Sequence, residues 1–242
     1  MKKIIGRFLR KNLFKPHPIV GIFINPFFFI RRGIYGSICD FRSYSLSKRV
    51  LDVGCGTTPY KSVLGAKEYI GLDLEGCKNF ESSRGPDVLY DGVIMPFDDA
   101  SFDVVLSSEV LEHVKDLGTF LSEIRRVLRP GGEVLITCPF MWNEHEQPND
   151  HRRLTSYGIV ALFEESGFDV ISAQKKVVGL EAHTQLFTAY LYENLASKNR
   201  ILALVFTCTV IAPLNLFGLL VSRFLPTDDS FYLTNAFIGR KI

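Results

Sequence analysis

The chain has 242 residues, 47% hydrophobic and 22% charged, which suits one globular domain with a full core and an appendage. Its net charge of +2 conceals a basic start. Residues 1–49 hold eleven Lys and Arg against one acid, Asp40, for +10, whereas residues 50–242 hold seventeen bases against twenty-five acids, for −8. Such an arm on an acidic body suits an anionic surface, either membrane lipid or nucleic acid, or else is a solvated basic face. The cysteines at 39, 55, 77, 138 and 208 are odd in number and contain no Cys-x-x-Cys pair. That argues against a disulfide framework or a zinc site, and for a reducing, cytoplasmic location.

The opening stretch MKKIIGRFLRKNLFK interrupts every apolar run with a base, so it does not read as a signal peptide. Phe8, Leu9, Leu13 and Phe14 among Lys and Arg suggest a short amphipathic helix. NPFFFIRRGIYGSI suggests a second, with Asn25 as cap and Pro26 in the first turn. These helices either lie on a bilayer or pack on the protein's own sheet. From residue 48, strands alternate with helices. RVLDVG, EYIGLDL, SFDVVLSS and GGEVLITCP read as strands, and LGTFLSEIRRVL has helical spacing. The alternation predicts a parallel, doubly wound sheet. A helix over SYGIVALFEESG and a strand over FDVISAQKKV follow. Residues 201–222 carry no charge between Arg200 and Arg223, a length that meets the criterion for spanning a bilayer. SFYLTNAFIGRK then reads as a last strand. If that strand rejoins the sheet, the apolar run cannot simply cross. It is expected to form a re-entrant or surface hairpin broken near Pro213, or a helical lid.

The strongest chemical signal is LDVGCGTTPY. A glycine-rich turn after a first strand lets backbone approach a ligand, and here it reads Asp52-x-Gly54-x-Gly56. The third glycine of a dinucleotide fingerprint is absent, which disfavours an NAD oxidoreductase. Asp73 ends the second strand, where an acid can hold ribose hydroxyls.

With IGLDL, YDGVIMPFDDASFDVVLSSEVLEHV and LRPGGEVLITCP following in order, the sequence resembles the class I S-adenosylmethionine-dependent methyltransferases. It is similar to the branch with quinone-biosynthesis enzymes, and in its loop to enzymes of bacterial polysaccharide and envelope gene clusters. The resemblance covers residues 48–140. It implies a Rossmann-like α/β fold, a doubly wound seven-stranded sheet with an antiparallel last strand. It implies S-adenosyl-L-methionine as cofactor, with Gly54, Cys55 and Gly56 along its methionine part and Asp52 orienting the amino group. Asp73 would hold the ribose, Leu74 and Asp91 the adenine, and Ser108 and Glu109 the pocket wall. His113 is read as a structural residue beside the pocket. Gly92 replaces the usual small residue after Asp91. Four regions result: a helical arm at 1–47, a methyltransferase core at 48–178, a hydrophobic helical insertion or lid at 179–230 and a terminal core strand at 231–242.

The loop PFMWNEHEQPNDHRRLT, residues 139–155, leaves the carboxyl end of the fifth strand, where open α/β sheets bind ligands. Three readings compete for it: an acid/base cluster, a metal site, or a structural loop in which Asp150 pairs with Arg152 or Arg153 and Thr155 caps a helix. The acid/base or substrate-binding reading is adopted, with His145, Glu146 and then His151 as catalytic candidates and no metal. The expected acceptor is a small molecule, or a sugar or lipid-linked glycan precursor. Residues 1–47 and 201–222 are expected to touch the inner face of the membrane peripherally. Nucleic acid is disfavoured as a partner, because no Asn/Asp-Pro-Pro-Tyr motif is present.

Overall fold

A computed structural model describes residues 12–76 and 85–242. The first part of the basic arm, with Phe8 and Leu9, lies outside the described residues. The chain divides into two compact units.

The larger unit comprises residues 37–174 and 235–242. Its centre is a seven-stranded sheet of β1 (Arg49–Val53), β2 (Glu68–Leu74), β3 (Val88–Tyr90), β4 (Phe102–Ser108), β5 (Leu128–Pro139), β6 (Phe168–Val178) and β7 (Tyr232–Lys241). The order is β3-β2-β1-β4-β5-β7-β6, and β7 is antiparallel, as the family resemblance led us to expect. Leu51 of β1 pairs with Ile70 of β2 on one side and Val105 of β4 on the other. The chain order reverses between β1 and β4, and ligands bind at the carboxyl ends of strands beside such a switch point.

The central strands β1, β4 and β5 are buried along most of their length, as parallel strands in a covered sheet are. Leu51, Val105, Ile136, Phe163 and Phe237 are buried in one core cluster. The rings of Phe163 and Phe237 stand 4.0 Å apart. Burying side chains of this size contributes about 1.5–3 kcal/mol each. The cover includes helices at Leu117–Val127 and Ser156–Glu165. Asp116 caps the first by accepting from Thr119 N at 3.1 Å, and Thr155 caps the second by accepting from Gly158 N at 3.0 Å. Each cap satisfies an N–H that the first helical turn leaves unpaired.

The smaller unit is helical and takes in residues 12–36 and 175–234. Asn25 follows a one-turn helix, Val20–Ile24, and accepts from Phe27 N at 2.9 Å. The next helix, Phe28–Ser45, begins at a buried glutamine. Gln185 Oε1 accepts from Phe29 N and Ile30 N, and its Nε2 donates to Pro26 O. Gln185 belongs to the helix Gly179–Leu195, so one amide side chain ties two helices together.

The apolar run is one continuous helical rod, not a hairpin broken at Pro213. An α-helix at Arg200–Phe206 passes through a π-turn at Thr207–Ile211 into a second α-helix at Ala212–Val221. Proline lacks an N–H and crowds the carbonyl four residues back, and the wider π-turn just before it gives the ring room. Asn215, the amide residue in the run, is fully buried and donates to Ile22 O at 3.3 Å. Gly218 lies where an added Cβ would come within 2.7 Å of Thr184 Oγ1, so a larger residue would force the rod away. Residues Ile201–Val221 are long and apolar enough to cross a membrane by length and composition, and 28% of an 18-residue window within them is buried.

Candidate active site

The turn after β1 is built from backbone. Gly54 N and Cys55 N both donate to Leu72 O of β2, at 2.8 and 3.2 Å, so the turn stays laced to the neighbouring strand. Gly54 has φ 70°, and a Cβ there would come within 2.4 Å of Val110 Cγ2. Gly56 has φ 53°, and a Cβ there would meet nothing within 4 Å. The two glycines therefore do different work. Gly54 is required by packing, whereas Gly56 opens on free space.

Asp73 closes the turn. Its Oδ2 accepts from Gly56 N and its Oδ1 from Leu74 N, both at 2.8 Å. Each carboxylate oxygen keeps a lone pair for a further donor. Leu74 is exposed beside it, and a Cβ on Gly92 would come within 2.8 Å of Leu74 Cδ2, so glycine at 92 leaves room for that side chain. Asp91 accepts from Val93 N and Ile94 N, and these N–H groups hold its carboxyl below the usual range. Ser108 Oγ and Thr137 Oγ1 are 2.8 Å apart across β4 and β5. Glu109, with φ 56°, donates its N–H to Thr137 O.

Two side chains of the turn are buried. Asp52 is buried and accepts from the Tyr69 hydroxyl, a partner not evident from the motif. Burial pushes its carboxyl up to about 7, against the lowering effect of the Tyr69 hydrogen bond and with the Asp73 charge adding to the rise. Cys55 packs over Gly71, where a Cβ would reach its Sγ at 2.8 Å. Burial pushes its thiol far up, so it is a packing residue and not a nucleophile.

An open, side-chain-free glycine facing a carboxylate fits the methionine and ribose parts of S-adenosylmethionine. A sulfonium cofactor needs no phosphate-binding third glycine.

A second cluster stands at the carboxyl ends of β4 and β5. After β4 the chain makes a single 3-10 turn, Leu111–His113, and Glu112 is buried within it. The loop after β5 folds back, and His151 N donates to Glu112 O at 2.8 Å. This brings His145 Nε2 to 3.8 Å from Glu112 Oε1, beside His113 Nε2 at 3.7 Å. The two imidazoles meet edge to face, with centroids 4.9 Å apart. Asp150 holds the loop's shape. It accepts from His145 N at 2.9 Å, lies 3.3 Å from His145 Nδ1 and pairs with both Arg153 terminal nitrogens. The Arg153 hydrogen bonds hold Asp150 well below the usual carboxylate range. Glu112 is raised well above its usual range, by burial first and the Glu109 charge second.

Of the catalytic candidates, His145 is thus at the centre. Glu146 is at the rim, exposed, with an oxygen 4.0 Å from His113 Nε2. His151 takes part through its backbone N–H, and its side chain is exposed. Glu112 was not among the candidates expected from the sequence, and His113 was expected to be structural. The available signal was an acid adjacent to a histidine, directly after a strand that ends at the ligand edge.

This strand order, with a Gly-x-Gly turn facing an acid at the end of β2, is the arrangement expected of a class I S-adenosylmethionine-dependent methyltransferase domain. Residues 51–136 match the family described as methyltransferase domain. The chain is similar to a probable S-adenosylmethionine-dependent methyltransferase of Mycolicibacterium smegmatis, 35% identical over 133 residues, covering 50% of this chain and 52% of that protein. It is also similar to phthiotriol/phenolphthiotriol dimycocerosates methyltransferase 1 of Mycobacterium ulcerans, 40% identical over 100 residues and 37% of each chain. The chain thus spans about half or less of these relatives' lengths. Among solved structures it is similar to the cyclase SpnF, with a TM-score of 0.55 and 17% identity over 84% of this chain and 78% of that one. That likeness shows the fold alone.

Proposed function

We propose that the protein transfers a methyl group from S-adenosylmethionine to a hydroxyl of a sugar or lipid-linked glycan precursor, at the cytoplasmic face of a membrane. The cofactor supplies an electrophilic methyl on a sulfonium. Gly54, Cys55 and Gly56 border its methionine part, with Asp52 towards the amino group. Asp73 takes the ribose, Leu74 and Asp91 flank the adenine, and Ser108 and Glu109 line the pocket. The acceptor oxygen gains the methyl, the carbon–sulfur pair stays on sulfur, and the hydroxyl proton is released. Transfer is an in-line displacement, so positioning contributes most. A group that eases loss of the proton adds to this when the nucleophile is an alcohol.

The observation that carries this reading is the meeting of Glu112, His113 and His145 at the strand ends that adjoin the cofactor turn. Here the acceptor hydroxyl binds and its proton is removed. His145 is oriented by Asp150, with Glu146 and His151 at the rim. The apolar helical face, with Ile201, Val205 and Phe217 more than half exposed, supports a lipid-bearing acceptor met at a bilayer surface. Arg200 and Arg223 bracket it in sequence, and basic side chains favour anionic lipid.

A second reading, a free lipid or quinone-type acceptor, draws support from the mycobacterial relative named for a dimycocerosate lipid. Methyl-labelled cofactor incubated with the protein and fractionated host extract separates the two. Label in glycolipid or polysaccharide, lost in Asp73→Ala and His145→Ala, is the expected result. Label in free small lipids moves the acceptor to the second reading. Cofactor binding without transfer to any fraction defeats both. Flotation with phosphatidylglycerol vesicles tests the surface, and Val205→Glu/Phe217→Glu is expected to abolish co-flotation.

A further inference from the structure

Glu112 raises a problem of charge. Its carboxyl is 1% exposed, and neither oxygen has a hydrogen-bond partner. A buried polar group without a partner is destabilising, and more so if charged. The groups that face it cannot help as they stand. His113 Nδ1 lies 3.0 Å from Asn149 O, and a carbonyl can only accept, so Nδ1 carries the proton. His145 Nδ1 lies 3.3 Å from both Asp150 Oδ2 and Asn143 O, which again only accept. In both neutral rings the Nε2 atom then presents a lone pair, and both Nε2 atoms face Glu112 Oε1. Both ring nitrogens thus converge on the carboxyl at 3.7 and 3.8 Å, beyond hydrogen-bond reach.

We propose that Glu112, His113 and His145 bind a divalent transition-metal cation, of the Zn2+ type. The proposal rests on the preceding functional reading only for what fills the open coordination position, the acceptor hydroxyl. One ligand atom from each residue lies within 4.8 Å of the others. A tetrahedral ion with bonds of about 2.0–2.1 Å sets its ligands roughly 3.3 Å apart, so the 3.7 and 3.8 Å separations close by about half an ångström.

The surroundings are those a metal site needs. Ligating histidines donate their other N–H to a carboxylate or backbone carbonyl, which fixes ring and tautomer. Here Asn149 O serves His113, and Asp150, locked by Arg153, serves His145. Two imidazoles and one carboxylate select Zn2+, Fe2+ or Co2+ over Mg2+ or Ca2+, which prefer all-oxygen sites. Three protein ligands leave a position open, as catalytic sites do. A hydroxyl bound there becomes more acidic, which is the help an alcohol nucleophile needs. No cysteine takes part, so this cluster differs in kind from the thiolate zinc site that the cysteine spacing disfavours.

The test uses tag-free full-length protein, stripped with a chelator and dialysed against Zn2+ or Co2+, with metal content and the Co2+ visible spectrum as readouts. We expect one equivalent per chain, bound at micromolar or tighter. Affinity should fall at least 10-fold in Glu112→Gln, His113→Asn and His145→Asn. Asp150→Asn, acting through His145, should weaken binding by about 10-fold and shift the Co2+ bands. S-adenosylhomocysteine binding by calorimetry reports folding in every variant, so if Glu112→Gln does not fold, the two histidine variants decide. No stoichiometric metal on protein that binds S-adenosylhomocysteine overturns the proposal, as does metal retained by both histidine variants. Methyl transfer undiminished in the stripped protein overturns the role given to the cation while leaving the methyltransferase reading intact. Metal bound without transfer to any fraction does the reverse.

Discussion

The turn after β1 and the loop after β5 both stand at the ligand edge of one sheet, but they are made of different material. The first is a backbone device. Two glycines at positive φ, in a turn laced to Leu72 O and closed by Asp73, would leave a bound molecule free space. The second is a side-chain device, in which His145 is brought to Glu112 and His113 and held by Asp150 and Arg153. A backbone device is intolerant of added atoms. A side-chain device is intolerant of lost partners.

The largest effect should come from Gly54→Ala. Its Cβ would strike Val110 while φ stays left-handed, so we expect a loss of about 3 kcal/mol or more in denaturant unfolding. Next is Asp52→Asn, which removes a buried acid held up at about 7. A carboxyl raised in the fold stabilises below its unfolded value near 4 and loses that contribution as pH rises through 7. Wild type should therefore weaken between about pH 4 and pH 8 relative to Asp52→Asn. The variant should gain on the order of 1–3 kcal/mol at pH 8 and nothing at pH 4, read from urea midpoints. An equal gain at both pH values would remove Asp52 as the titrating group.

Asp150→Ala should cost about 2 kcal/mol, because Arg153 and His145 lose their shared partner. It should leave cofactor affinity within 2-fold by calorimetry, since it touches only the side-chain device. Gly56→Ala sharpens the contrast from the other side. No atom opposes its Cβ, so stability should fall by only about 1 kcal/mol, the cost of φ 53° for alanine. Cofactor affinity should nonetheless fall at least 10-fold, because the methyl group occupies the open space. Undiminished cofactor affinity in Gly56→Ala would mean that the ligand lies elsewhere.

These differences also explain what could be read without coordinates. The strand at 168–178, the helix cap at Thr155 and the Asp150–Arg153 pair were legible, because each depends on neighbours a few residues away. The short β3 at 88–90 was not, because three residues carry too little periodicity. Nor was the path of the helix through Pro213. Proline marks a break in the local code, and the π-turn that accommodates it has no such mark.

The sequence alone determined the alternation of strands and helices apart from β3, the Gly-x-Gly turn with an acid ending the next strand, and the class of cofactor that such a turn can take. Glycine at a left-handed position and apolar periodicity are properties of short segments, and they survive in one dimension. Only the tertiary structure decided that Glu112 and His113 share a site with His145, more than thirty residues further along the chain. It also decided that Asn215 turns inward while Phe217 stays exposed. Those outcomes depend on how separate segments close over one another, and buried groups must then find partners among whatever the fold has brought near.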